Sequence, residues 1–334
     1  MRIGLSCDLK DTVRLEMAAA DDALEEYDSV ETVNIIRSSL ENLGHTVITL
    51  GGGKEFLAKV VDENVDIIFN IAEGRGTYRS REAQVPAVLE MLNIPYSGSD
   101  PQCLSICLDK PLTKTLVNLA GINTPKWRVV KTEDQLKSSE WQDFTFPAIV
   151  KPTFEGSSKG VRATSLVTDI DEAFGEIHRQ LINYRQPVMI EEFIDGDEVT
   201  VGIVGNSPPE VLGIMRILPR DKRNNFIYSL EVKRDWERLV DYECPAHLDE
   251  EMLLRIKENS LKIFDVLGCR DFARIDFRIS KDGIPYFIEI NPLPGLGTYS
   301  DLVIMALKLG WTHYGLITTV FNATLSRYPQ YVCL

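Results

Sequence analysis

Apolar positions along the chain alternate between short runs with a period of two and longer stretches with a period near 3.6, the mark of strands interleaved with helices. In the first hundred residues RIGLSC (2–7) reads as a buried strand, 29–43 as a helix and HTVITL (45–50) as a strand. A helix at 55–63 and a third strand in VDIIFNI (65–71) follow. Strands separated by helices pair in parallel, so this order predicts a parallel α/β layer. A helix over Gln84–Leu92 and the turn PYSGSDP close this unit, taken as residues 1–108.

After residue 108 the pattern changes. LDKPLTKTLVNLAGINTP reads as an amphipathic helix stopped by Gly121 and Pro125, and WRVV as a short strand. FPAIVKPTFEGSSKGV runs from a strand ending at Lys151 into a loop with Gly156, Ser157, Ser158 and Gly160, within a second unit at 109–186. A third unit, 187–334, opens with PVMIEEFIDGDEVTVGIVG: a strand, an extended exit and a turn into another strand. Further on, ARIDFRI and YFIEINPLPG form two strands that SKDGIP joins into a hairpin.

Polar residues inside these apolar runs suggest chemistry. Arg274 and Asp276 share a face of one strand, and Glu289 and Asn291 a face of the next, because side chains repeat every two residues. Asp, a bridging Glu and Asn are hard oxygen ligands suited to Mg2+ held between protein and phosphate. Arg274 beside them would stabilise charge on a transferring phosphoryl group or a tetrahedral intermediate. An amphipathic hairpin with one wet face is the plain alternative; the apolar intervening residues and the absence of lysine favour the metal. The Gly/Ser loop offers backbone N–H groups and a serine hydroxyl to an anion, with Lys151 at its base and Lys159 within it, although flexible surface turns share that composition. The extended exit EEFI would present an N–H and a C=O to an adenine edge, and Glu198 would accept from ribose hydroxyls; a solvated acidic turn is the alternative.

Other candidates fail on spacing. GGGK at Gly51 to Lys54 is not a phosphate loop, since Ile48 and Glu55 occupy the positions that need Gly and Ser or Thr. No G-x-G-x-x-G follows the first strand. The histidines (His45, His178, His247, His313) are scattered and form no nucleophile and base pair with Ser or Cys. Cys7, Cys103, Cys107, Cys244, Cys269 and Cys333 contain no CxxC pair and read as free thiols.

Composition narrows the partners. A chain of 334 residues that is 44% hydrophobic and 26% charged builds two or three compact units. Its net charge of -14 and pI near 4.9 argue against nucleic acid. No apolar run reaches the roughly 18 residues of a membrane span, and the start lacks a signal-peptide core, so a cytoplasmic protein is expected.

In combination and order, LDK, VKPTFEGSSKGV, EEFIDGDE, RIDF and EIN make the chain resemble the ATP-grasp enzymes, specifically the D-alanine:D-alanine ligase group, from about Gln84 onward. The resemblance implies an α/β ATP-grasp fold preceded by a parallel α/β domain. It implies that Lys110 and Lys151 hold ATP phosphates under the loop with Ser157, and that Glu191, Glu192, Phe193 and Ile194 with Glu198 hold adenosine. Asp276, Glu289 and Asn291 would bind two Mg2+ ions, with Mn2+ as an allowed substitute. Lys233 would close over the γ-phosphate, and Arg274 would meet developing charge. Gly295 and Ser300 would sit at the substrate-binding end of the C-terminal motif. Glu25 or Glu26, with Ser29, is the counterpart of the substrate-amine binder, and the implied catalytic set is Glu25, Ser157, Lys233, Arg274 and Ser300.

The implied reaction phosphorylates a carboxylate with ATP, and an amine then attacks the acyl phosphate; amino-acid substrates and a homodimer come with the resemblance. Departures lie on the substrate side: NIAEGRGTYRSREAQ replaces a His-Gly stretch, Arg234 stands where tyrosine is frequent, and Pro292 and Asp301 replace threonine and leucine. Asp301 is expected to face solvent, as a loop residue beside a pocket commonly does. Two other functions stay open at this point: a specialised ligase coupling an amino acid to a metabolite carboxylate, and an ATP-binding sensor without catalysis, against which the full set Arg274, Asp276, Glu289 and Asn291 argues.

Overall fold

The computed structural model describes residues 1–13, 20–137, 141, 143–221 and 225–331. Strand β1 (Arg2–Ser6), helix α1 (Val30–Asn42), β2 (Thr46–Gly51), α2 (Gly53–Asp62) and β3 (Ile67–Asn70) build a parallel sheet of order β2-β1-β3. Both of its faces are covered, which explains the near-continuous apolar strands. Ile3, Leu5, Ile67 and Phe69 pack on Val33, Ile36 and Leu40 of α1, whereas Ile68 faces Phe56 and Val60 of α2. Three more helices follow: α3 (Gln84–Leu92), α4 (Pro101–Leu108) and α5 (Lys110–Leu119).

Helix α4 was not anticipated, because its Asp-Pro start reads as a turn. Asp100 is instead a cap: its Oδ1 accepts the Cys103 N–H at 2.9 Å, with proline at the first helical position, where a missing N–H costs nothing. Asp109 repeats the device for α5, accepting from Leu112 N at 3.2 Å.

The middle sheet, β4-β7-β5-β6, consists of β4 (Trp127–Val130), β5 (Ala148–Pro152), β6 (Leu166–Val167) and, beyond helix α6 (Ile170–Tyr184), β7 (Val188–Glu192), all antiparallel. Ala148, Val150, Val188 and Ile190 bury one face against Ala173 and Ile177 of α6.

The third sheet has order β10-β9-β8-β11-β12. Its first two strands are β8 (Gly196–Val204) and β9 (Glu210–Pro219); two short helices, α7 (Leu230–Arg234) and α8 (Trp236–Leu239), precede β10 (Val240–Glu243). Helix α9 (Glu250–Val266) leads into the hairpin β11 (Phe272–Ser280) and β12 (Pro285–Asn291), and helices α10 (Asp301–Lys308) and α11 (His313–Ser326) end the fold. Alternation divides this sheet. Val199, Val201, Ala273, Ile275, Phe277 and Phe287 pack on Ile256, Ile263 and Phe264 of α9. The residues between them, Thr200, Arg274, Asp276 and Glu289, face the other way.

Asp271 ties the first sheet to the third. Fully buried and with a left-handed φ of 67°, it accepts from Gly98 N at 2.7 Å, Thr324 Oγ1 at 2.8 Å, Asn206 Nδ2 at 2.9 Å and Arg327 Nη2 at 2.8 Å. Asp271→Ala would strand Arg327 and put alanine at positive φ; the expected loss is roughly 3–5 kcal/mol in chemical denaturation. Asp271→Asn should lose clearly less, since asparagine tolerates that φ and keeps an acceptor.

Candidate active site

Two cavities adjoin on the polar face of the third sheet. The larger, of about 310 Å3, is lined by Glu25, Lys110, Ser157, Lys233, Arg274, Asn291 and Ser300 among others. The smaller, of about 80 Å3, is lined by Lys151, Glu191, Glu192, Phe193, Ile194, Glu198, Asp276 and Glu289. Lys110, Tyr228, Lys233 and Asp301 border both, so these residues form the seam. The site residues picked out from the sequence border one cavity or the other, except Ser29, which caps α1 by accepting from Thr32 N at 3.1 Å.

The hairpin register explains how the polar groups meet. Arg274 stands opposite Asn291, and Asp276 opposite Glu289, so the four share one face. A bulge after Asp276 leaves Ile288 unopposed, and Ile288 borders the same cavity as Glu289. Arg274 donates from Nε to Asp276 Oδ1 at 3.1 Å and from Nη2 to Oδ2 at 3.0 Å, while Thr200 donates to Oδ1 at 2.6 Å. Burial pushes the Glu289 carboxyl up, but Lys110 (3.3 Å away), Lys151, Lys233 and Arg274 together hold it far below the usual carboxylate range. Asn291 Nδ2 is buried without a hydrogen-bond partner among the described residues.

One acid meets two buried lysines at the smaller cavity, Lys151 in its lining and Lys114 behind it. Glu191, 2% exposed, pairs with Lys151 and, at 2.9 Å, with Lys114. Lys114 is dry, and burial with the neighbouring Lys151 charge lowers it to about 8 against the pull of Glu191. The Glu191 carboxylate thus lies between two lysine ammonium groups. Phe193 N–H likewise donates to the Pro147 carbonyl at 3.0 Å, the Ile194 carbonyl accepts from Arg278 Nε at 2.6 Å, and Glu198 accepts from Arg278 Nη1 at 2.8 Å.

Acids from near the N-terminus anchor the Gly/Ser loop. Ser157 and Ser158 both hold positive φ, at 49° and 59°. Gly156 N donates to Glu26 Oε1 at 2.5 Å, and Gly160 N to Asp22 Oδ2 at 2.9 Å. Glu26 also receives Arg81 Nη2 at 2.6 and 2.7 Å and Lys159 Nζ at 3.2 Å. Burial raises its carboxyl, but the charges of Arg81 and Lys159 prevail and hold it at about 2. Glu25 pairs with Arg234 instead, so the two neighbouring glutamates have different partners. Arg81, only 1% exposed, also reaches Glu155 at 3.2 Å, and Gly74 makes room for it: a Cβ there would lie 2.0 Å from the Arg81 carbonyl oxygen.

Sequence reasoning missed Arg81, Lys114 and Glu155 as parts of the site. Arg81 lies in a single 3-10 turn, which has no periodicity to mark a buried face.

Asp301 differs from the expectation. It is 7% exposed and borders both cavities, with Arg274 Nη1 at 3.4 Å and the Tyr228 hydroxyl at 3.2 Å. The reason is local: Asp301 begins α10 next to a buried guanidinium that requires a counter-charge.

Cys103 and Cys107, one turn apart on α4, and Cys269 from far along the chain bring their Sγ atoms within 4.8 Å of one another, and Cys107 borders the larger cavity. Cys7, Cys103, Cys107, Cys244 and Cys269 are free; Cys333 lies outside the described residues. No helix among the described residues is long and apolar enough to cross a membrane.

Two antiparallel sheets closing on a cavity with convergent lysines and a carboxylate hairpin, behind a parallel α/β unit, are the ATP-grasp architecture within the α/β class. Residues 116–322 match the family model described as D-ala D-ala ligase C-terminus. The D-alanine–D-alanine ligase of Aquifex aeolicus is 35% identical over 88% of this chain and 94% of its own. That of Fervidobacterium nodosum is 31% identical over 84% and 89%. The crystal structure of D-alanine–D-alanine ligase from Bacillus anthracis complexed with ATP superposes with a TM-score of 0.76, at 26% identity over 99% of both chains. The chain belongs to the D-alanine–D-alanine ligase family. It is an ATP-grasp ligase that forms a C–N (peptide) bond.

The depressed Glu26 carboxyl gives a pH signature. A folded value near 2 lies below the ordinary 4.5, so its contribution to stability is present above about 4.5 and is lost as pH falls through about 2. Wild-type protein should therefore lose stability relative to Glu26→Gln across that window, read from denaturation midpoints at successive pH values; parallel curves would show that Arg81 and Lys159 do not hold the charge.

Proposed function

We propose that the chain joins two amino acids, with the nucleotide in the smaller cavity and the amino acids in the larger. The observation that carries this reading is the shared seam: Lys110 and Lys233 border both cavities, where a γ-phosphoryl group would pass from one to the other. ATP is the phosphoryl donor here, as the membership of the family implies. We assign the units 1–108, 109–186 and 187–334 to the parallel sheet, the loop-bearing sheet and the metal-bearing sheet, respectively.

The donor set fits Mg2+, one ion or two. Asp276 and Glu289 supply carboxylate oxygens, and the unpartnered Asn291 amide can turn its oxygen toward an ion. Bound there, Mg2+ would neutralise phosphate charge during transfer. Lys151 and Lys110 bind phosphates in this scheme, and the Gly/Ser loop covers them with backbone N–H groups and Ser157. Arg274 steadies the charge that develops on the substrate carboxylate as it becomes an acyl phosphate and then a tetrahedral adduct with the incoming amine. Ser300 holds a substrate carboxylate and Glu25 a substrate amine. Positioning and electrostatics suffice, with no covalent nucleophile.

Glu289→Gln removes the bridging charge and should lower kcat for ADP release roughly 100-fold or more, the scale of one strong transition-state contact. Normal Mg2+-dependent ADP release by this variant would defeat the metal assignment. Asp301→Leu should alter the amino-acid profile of that assay, because it empties a buried charged position at the seam and frees one side of Arg274; an unchanged profile would limit Asp301 to a structural role.

A further inference from the structure

Resting on the ligase reading, the charge distribution of the larger cavity restricts its substrate. Lys110, Lys233 and Arg274, which surround Glu289, belong to the cavity lining. The same lining holds Asp28, Glu73 and Glu82, together with Glu25 and Glu26. The last two are matched, Glu25 by Arg234 and Glu26 by Arg81 and Lys159. Asp28, Glu73 and Glu82 are not: among the described residues none of their carboxylates has a hydrogen bond or ion pair. Glu82 is the telling member, a carboxylate only 8% exposed that opens on the cavity with no partner. The neighbouring cations are committed elsewhere, Arg81 to Glu26 and Glu155, and Lys110 to Glu289.

Such a wall is costly in a protein interior, where unpaired ionised groups either take up a proton or await a counter-charge. The protonation tendencies agree. Burial, with Asp8 nearby, raises Asp28 to about 7 against Lys10; burial, with the Glu26 charge beside it, raises Glu82 to about 7 against Arg81 and Lys110. Glu73 is raised well above the ordinary range by burial and by the charges of Glu82, Glu26 and Asp28. A single α-ammonium would satisfy one of these carboxylates and leave the others unmatched. We propose that Asp28, Glu73 and Glu82 form a subsite for a second cationic nitrogen, so that one substrate is a diamino carboxylic acid whose carboxylate points toward Lys233 and Arg274.

Calorimetric titration and ADP release, run with the D and L forms of alanine, 2,3-diaminopropionate, ornithine and lysine as probes, test this on the full chain. At least one diamino acid should bind roughly tenfold tighter than alanine of the same configuration, the scale of one hydrogen bond to a charged group. In Glu73→Gln and Glu82→Gln that ratio should fall toward one. Glutamine keeps the shape and relieves repulsion, so both variants should fold, as thermal midpoints will show. The inference is overturned if no diamino acid outbinds alanine, or if the advantage survives both substitutions. Alanine-driven ADP release with no diamino preference would sink this inference and leave the ligase reading intact. Diamino-acid binding without ADP release from any probe would support the subsite and count against the ligase reading.

Discussion

Compensation of buried charge is the constraint on which the site depends. Lys114, Lys151, Arg81 and Arg274 are each nine-tenths or more buried, and a cation taken out of water costs several kcal/mol unless an anion meets it. The structure meets each one: Glu191 lies between Lys114 and Lys151, Glu26 and Glu155 hold Arg81, and Asp276 and Asp301 flank Arg274. These acids therefore do two jobs under the proposed function. They keep the cations in place in the unliganded protein, and some of them, such as Asp276, become available as oxygen ligands when phosphates take over the neutralising role.

The third sheet makes this arrangement affordable by separating its faces. One side of β8, β11 and β12 carries Val199, Val201, Ile203, Ala273, Ile275, Phe277 and Phe287 and packs on α9, which fixes the strand positions through burial. On the other side Val204 and Phe272 join the core at one end, and Thr200, Arg274, Asp276 and Glu289 are left to be organised for chemistry. Cross-strand register places Arg274 by Asn291 and Asp276 by Glu289, with Thr200 opposite Asp276 on the inner strand, so the spacing of the site follows from backbone pairing and not from long flexible side chains.

What was legible in the sequence follows the same division. The period-two alternation of RIDF and FIEIN gave the shared face directly, and the strand and helix order gave the parallel sheet, because both signals are local. Partners contributed by distant segments were not legible. Arg81 is a lone arginine in a turn, and only the fold brings it to Glu26 and Glu155, 55 and 74 residues away. Asp301 was misplaced for a related reason: its loop position suggested solvent, whereas its environment is set by Arg274 from another strand. Helix α4 was lost because Asp-Pro is read equally well as a turn or as a cap, and the choice depends on Cys103 and Leu104 having a core to enter.

The Gly/Ser loop shows why the N-terminal segment belongs to the chemistry although it lies outside the two antiparallel sheets. Its amides at Gly156 and Gly160 donate to Glu26 and Asp22, and Asp22 is held in turn by Tyr184 at 2.7 Å and Arg162 at 3.3 Å. A loop with two successive residues at positive φ is held by such contacts, since isolated chains rarely populate that geometry. On the proposed function, nucleotide and amino acid are thus linked through one short segment: Glu26 touches the loop that would cover the phosphates, and Glu25, the next residue, lines the cavity for the amino acid. A charge removed at residue 25 or 26 would be felt on both sides of the seam, which ties amino-acid selection to closure over the phosphates by direct contact and requires no longer-range pathway.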